Sequence, residues 1–247
     1  MSPRQRMINL MYIVLTAMLA LNVSSDVLNG FNQVHDGLQT TNLNIAARNE
    51  VQYAFLKDLF DKNPAKAQDS YTKATRLQVS AGALCESIDS LKREIALRAD
   101  GPEGNPEEII NLDDLEAASV TMLNPTSANG KRLRLQIDEF RSFVAPLISD
   151  SAKRAAMSSL LSTNVKNRPG TVGPTTWEEK LFDNMPAVAA VTLLTKLQND
   201  IRTAQGEALA NLITNVDIGD VRVNELNAYV IPNSNMVMRG GRYSARI

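Results

Sequence analysis

No charged residue occurs from Met7 to Ser25, a run of nineteen positions with Arg4 and Arg6 as the only charges before it. As a helix this run rises about 28 Å, close to a hydrocarbon core of roughly 30 Å. Both arginines precede the run and the first acid, Asp26, follows it. The cationic flank therefore predicts a cytoplasmic N-terminus over 1–6, a transmembrane helix over 7–28 and an exported remainder. A cleavable signal peptide shares the basic start and the apolar stretch, and Val23-Ser24-Ser25 offers small residues for cleavage. The run is longer than the usual apolar region of a signal, and no Pro or Gly interrupts it before Gly30.

Beyond Asp26 the period changes. Val27, Phe31, Val34, Leu38, Thr41 and Ile45 recur at spacings of four and three, as in a bundle seam or a coiled coil. Val51, Phe55, Leu56 and Leu59 extend this stripe until Asn63-Pro64 ends it. With only Gly30 to weaken the join, one continuous helix is expected to leave the membrane and enter the bundle. The seam residues, for a dimer or for the bundle, are then Val27, Phe31, Val34 and Leu38.

A second helix is predicted from about Ala65 to Arg98, with Leu77, Leu84, Ile88, Leu91 and Ile95 inside; Gly101 to Pro106 breaks it. Asp113 to Met122 reads as a short helix closed by Asn124-Pro125. A third long helix starts near Lys131, with Leu133, Ile137, Phe140, Val144 and Leu147 as its stripe and Pro146 at its kink or end. A short helix near Ser151 to Leu161 and a loop from Asn167 to Thr176 come next. The last helix takes Pro186 in its first turn and carries Val191, Leu194, Leu197, Ile201, Ala204, Ala208 and Leu212. From Asn215 the period falls to two, through Val216-Val223, Ala228-Ile231 and Met236 to Ile247, which reads as strands. Two or three strands cannot close a β domain. The expected fold is mainly α: a membrane helix, an exported helical bundle over 29–214, and the first strands of an incomplete β domain over 215–247. A chain stopping there is expected to be an engineered truncation or a proteolytic fragment.

Composition narrows the function. The 247 residues carry 26 basic and 27 acidic side chains, so no global field favours nucleic acid. The lone Cys85 allows no internal disulfide and falls among Leu84, Ile88 and Leu91, as a buried small apolar residue would. The lone His35 rules out a His-rich zinc site, and its place between stripe positions suits a solvated or interface histidine. Glu107-Glu108 and Asp113-Asp114 fit loop and helix-start charge. Trp177, before Glu178-Glu179, fits a core or bundle-cap anchor better than a glycosidase cleft, which a helical bundle does not offer. No Gly-rich phosphate loop or cofactor motif occurs, and no enzyme is indicated. Inside the apolar run, Asn9, Tyr12 and Thr16 share one face at spacings of three and four. Thr16, Ala20 and Ser24 form a small-residue row, which favours close packing against other membrane helices.

Ser2-Pro3-Arg4-Gln5-Arg6-Met7-Ile8-Asn9-Leu10-Met11-Tyr12, followed by Ala17-Met18-Leu19-Ala20-Leu21-Asn22-Val23-Ser24, closely resembles the start of the GldM/PorM family. Trp177-Glu178-Glu179 with Phe182, and then Ala190 to Asp200, is a second block similar to that family. These are inner-membrane subunits of the type IX secretion and gliding machinery, and the resemblance implies a periplasmic helical bundle over 29–214. The resemblance implies a homodimer whose membrane helices sit in a pentameric GldL/PorL-type ring and turn under proton flow. It also implies torque passed across the periplasm to a GldK/GldN (PorK/PorN)-type ring, through further β domains that lie beyond this chain. By position, Arg4 would meet a buried glutamate of the ring, with Asn9, Tyr12 and Thr16 as further contacts. Two duller readings compete: a passive membrane-tethered scaffold, in which the arginines serve topology alone, and a secreted helical binding protein released by cleavage.

Overall fold

The computed structural model describes residues 3–21, 25–165, 176–218, 231–232 and 245–246. Among them lie eight α-helices. Helix α1 spans Pro3–Leu21, α2 Ser25–Lys62 and α3 Pro64–Asp100. Then come α4 (Glu116–Leu123), α5 (Asn129–Val144), α6 (Ser151–Leu160), α7 (Trp177–Phe182) and α8 (Ala187–Ile218).

Three long helices make the frame. Asn63 alone links α2 to α3, because Pro64 cannot continue one helix yet suits the first turn of the next. The hairpin is stapled near its turn by Tyr71, whose ring stacks 4.5 Å from Phe60 and 6.0 Å from Tyr53. Helix α8 packs against both α2 and α3. Thr192 bonds the Phe31 carbonyl while Asn49 bonds the Arg202 carbonyl, so α8 runs parallel to α2 and therefore antiparallel to α3. The expected stripes of α3 and α8 meet in one core, with Leu77, Ile88, Ile95, Leu194 and Ile201 wholly enclosed. Helices α4 and α5 pack on α3, and α7 packs on α4 and α5.

The small elements are set by local chemistry. Asp114 Oδ1 accepts from the amides of Glu116 and Ala117 at 2.8 and 3.0 Å, so α4 begins at Glu116, later than the expected Asp113. Pro146 ends α5 in one turn of 3-10 helix, Ala145–Leu147. Asp150 caps α6 through the amides of Ala152 and Lys153. Helix α7 lies between the expected loop, which ends at Thr176, and the expected last helix, where the sequence pattern predicts no element. Thr176 and Glu179 start it with a reciprocal capping box. Trp177 is buried edge-on to Phe182, as an anchor should be.

One boundary needs correction. The period-two alternation read from Asn215 starts inside a helix, since α8 continues through Asn215, Val216 and Asp217 to Ile218. Val216 is buried with the bundle core, which rewards helical continuation over an extended turn outward. Past that point the described residues hold one antiparallel pairing, Ile231–Pro232 with Ala245–Arg246. The other expected strand positions lie outside the described residues, as do 166–175 of the expected loop. Residues 22–24, where α1 would run on into α2, also lie outside them.

Candidate functional site

Helix α1 carries the expected contact residues. Every side chain from Pro3 to Thr16 is exposed, including Arg4, Asn9, Tyr12 and Thr16. Met7 is 72% and Ile13 66% exposed, and Leu10, Met11 and Leu15 are uncovered like them. Together they form a contiguous uncovered apolar surface. No helix among the described residues is long and apolar enough to cross a membrane. The described α1 starts in the cationic lead and stops at Leu21, so it holds only the Met7–Leu21 part of the uncharged run.

The seam of α2 is rotated from the one expected. Val27 and Val34 are 51% and 54% exposed, and Phe31 and Leu38 are half-buried. Within one chain the α2 residues that turn toward α8 and the core are Leu28, His35, Asn42, Asn49 and Leu56, spaced seven apart. The reason lies on α8. Its apolar stripe is consumed by the shared core with α3, and a polar edge of Thr192, Thr195, Gln198, Asn199, Arg202 and Gln205 is left for α2. Polar partners on α2 satisfy part of that edge, leaving Asn199 Oδ1 and Arg202 Nε without a bond, while valines would strand more of it.

The contacts form a ladder. His35 Nδ1 lies 3.3 Å from the Thr195 hydroxyl, and Asn199 Nδ2 donates to the Leu38 carbonyl at 3.0 Å. Gln198 is the hub: its amide nitrogen donates to the Cys85 carbonyl and to Asp89, and its oxygen accepts from Lys92 at 2.8 Å. Lower down, Asn49 donates to the Arg202 carbonyl at 2.7 Å and to Gln205 at 3.3 Å. Gly206 makes this close approach possible, because a Cβ there would sit 2.6 Å from Asn49 Oδ1. Between α2, α3, α8 and the Asn105–Glu107 loop lies a half-open cleft of about 440 Å³, lined by His35, Asn42, Lys92 and Gln198 among others.

Electrostatics argue against nucleophilic chemistry in this region. Burial pushes the Cys85 thiol up to about 11, so it stays protonated at neutral pH. Burial, and then the Lys92 charge, depress His35 below the ordinary histidine value. Burial raises the Asp200 carboxyl, with Lys196 opposing. Among the described residues no group of three His, Cys, Asp or Glu could hold a metal.

The sequence pattern of the GldM N-terminal domain matches residues 26–215, from the first turn of α2 nearly to the end of α8. This chain belongs to the GldM family. Membership makes it a component of the gliding and type IX secretion machinery rather than a classical enzyme. No curated protein matches the chain. The matched span contains the whole polar ladder, while α1 precedes it. His35, Asn42, Asn49, Thr195 and Gln198 were not singled out as a set by the sequence. The signal of the three α2 residues was the seven-residue spacing one position beyond the valine stripe; Thr195 and Gln198 on α8 had none of that kind.

Proposed function

We propose that this GldM-family chain is the proton-motive-force-driven shaft of the type IX secretion and gliding machinery. On this reading it is a homodimer in the bacterial inner membrane, single-pass, with a cytoplasmic N-terminus and a periplasmic bundle. The membrane helices sit in a ring of GldL/PorL-type subunits and lipid surrounds the assembly. Domains beyond the present chain carry torque to a periplasmic GldK/GldN (PorK/PorN)-type ring. The observation that carries the reading is α1, whose apolar side chains from Met7 to Leu15 are uncovered and whose polar Asn9, Tyr12 and Thr16 share one face. Lipid accounts for the apolar part, and neighbouring membrane helices for the polar face. The energetics suffice, since each elementary charge crossing 100 mV yields roughly 2.3 kcal/mol.

The discriminating experiment separates this shaft from a passive tethered scaffold. Purification from native membranes is expected to bring down a small membrane protein bearing an intramembrane acid. Collapse of the proton gradient is expected to stop secretion within the lifetime of the ATP pool. Continued secretion without a gradient would leave the scaffold reading standing. Intact-mass measurement of the mature chain is expected to retain Met1 to Ser25, and loss of that segment would favour the secreted binding protein.

Dimerisation has its own check. Val34 is exposed on α2 beside half-buried Phe31 and Leu38, with open space over Gly30 and Gly37. Val34→Cys in oxidising conditions is expected to give a disulfide-linked dimer on a non-reducing gel, because the native Cys85 is buried and inert. A monomer alone would count against pairing along this face.

A further inference from the structure

The two halves of α2 are held in different ways. Its C-terminal half is fixed by Leu56, the Tyr53–Phe60–Tyr71 stack and the Asn49–Gly206 approach. Its N-terminal half buries only Leu28 and His35. Phe31 and Leu38 are half-buried, and the polar ties are few: Asn199 to the Leu38 carbonyl at 3.0 Å, Gln39 to Glu107 at 2.9 Å, Asn42 to Gln198 at 3.5 Å, and a 3.3 Å contact to the Phe31 carbonyl from a Thr192 hydroxyl that lies closer, at 2.7 Å, to the Val188 carbonyl. Segments with few buried apolar contacts open first. The cleft brings water to the edge of this seam at the point where His35 enters it.

His35 has a defined proton inventory. The Thr195 hydroxyl donates to the Val191 carbonyl at 3.1 Å, and a hydroxyl has one proton. With that proton on Val191, the imidazole donates from Nδ1 to Thr195 and takes a further proton at Nε2; in either tautomer the imidazolium carries one proton more than the docked ring. The charged groups around it come from every neighbouring element: Asp36 on α2, Asp89, Lys92 and Arg93 on α3, Glu107 in the loop, and Arg202 on α8. Lys92 is itself enclosed, 12% exposed, against Asp89 at 2.7 Å.

We propose that His35 is the bolt of an acid-released latch: a proton gained at Nε2 frees the N-terminal half of α2 from α8, while the C-terminal half stays docked. The proton comes from water in the cleft, and an imidazolium held dry beside the Lys92 ammonium is repelled until the helix lifts and water solvates it. Asp36 and Glu107 attract the imidazolium, but burial and Lys92 outweigh them. Because the docked imidazole is the weaker base, docking is at full strength above the ordinary histidine value near 6.5. It weakens as pH falls through and below that value, then levels off once the docked form is also protonated. The released segment is the one that follows α1 in the chain, so acidity outside the membrane would soften the arm at its root. This holds for a turning shaft and for a passive scaffold alike.

Hydrogen exchange on the full chain in detergent, at pH 7.5 and 5.5 and corrected for intrinsic rates, tests the latch. The expected result is a several-fold loss of protection at acid pH in peptides covering 28–42, with 49–60 and α3 unchanged. His35→Gln is expected to abolish that pH dependence, and Lys92→Met to shrink it, since the repelling cation is gone. A wild type without the local loss would overturn the proposal. So would an equal loss in His35→Gln, or a loss spread evenly over the bundle.

Discussion

Gly130→Ala is expected to destabilise the bundle by about 1–3 kcal/mol, as overpacking of a close-packed site does. Gly130 lies buried in the first turn of α5. A Cβ there would stand 2.7 Å from Glu178 Cβ and 2.8 Å from the Met122 carbonyl oxygen. Neither neighbour can retreat cheaply. Glu178 Cβ belongs to α7, whose start is pinned by its capping box and by Trp177. The Glu178 carboxylate, nearly enclosed, pairs with Arg134 at 3.2 Å. The Met122 carbonyl belongs to α4, and Asn129, the residue before Gly130, bonds the Thr121 carbonyl at 3.0 Å. Helix propensity opposes the clash by only about 1 kcal/mol in favour of Ala, so the clash wins.

Gly82→Ala is the control with the opposite sign. Gly82 lies exposed in the middle of α3, and nothing stands within 4 Å of its added Cβ. Propensity acts alone there, and a gain of up to about 1 kcal/mol is expected. At roughly 2–4 °C per kcal/mol for a chain of this size, thermal melts should separate the two variants in direction. Gly130→Ala melting at or above the wild type would show that the α4–α5–α7 corner is loosely packed.

That corner was also the least legible part of the sequence. Long helices declare themselves by period, and α2, α3, α5 and α8 stand where their stripes and their Pro and Gly stops put them. Helix α7 is six residues long, too short for a period to show, and only its capping box marks it. The face that α2 turns to α8 was hidden for another reason. Apolar Val27 and Val34 formed the obvious stripe, yet burial follows the partner's surface, and α8 offers α2 hydroxyls and amides. Hydropathy cannot register a polar seam. At the end of α8, Val216 fitted both an alternating strand and a helix-core position, and packing chose the helix.

Arg4→Ala is expected to abolish secretion while leaving the chain inserted and bound to its membrane partners. Arg6 still supplies a positive charge on the cytoplasmic side, so topology is preserved and any loss reports a role beyond orientation. Arg4 lies exposed in the first turn of α1, and none of the described residues covers it. On the proposed reading its guanidinium holds a ring glutamate ionised while the two are paired. An arginine does not deprotonate, so only the carboxylate can switch. Removing one partner of a buried pair typically costs 3–5 kcal/mol, on the order of twice the roughly 2.3 kcal/mol that one charge gains across 100 mV. One proton cannot make up that deficit, and arrest is expected in place of slowing. Arg4→Lys keeps the charge but loses the planar fork, so partial secretion is the expected result. The measurement is export of a type IX substrate from cells carrying each variant, with membrane insertion and partner copurification followed in the same strains. Normal export by Arg4→Ala would remove Arg4 from the mechanism and would favour the passive scaffold.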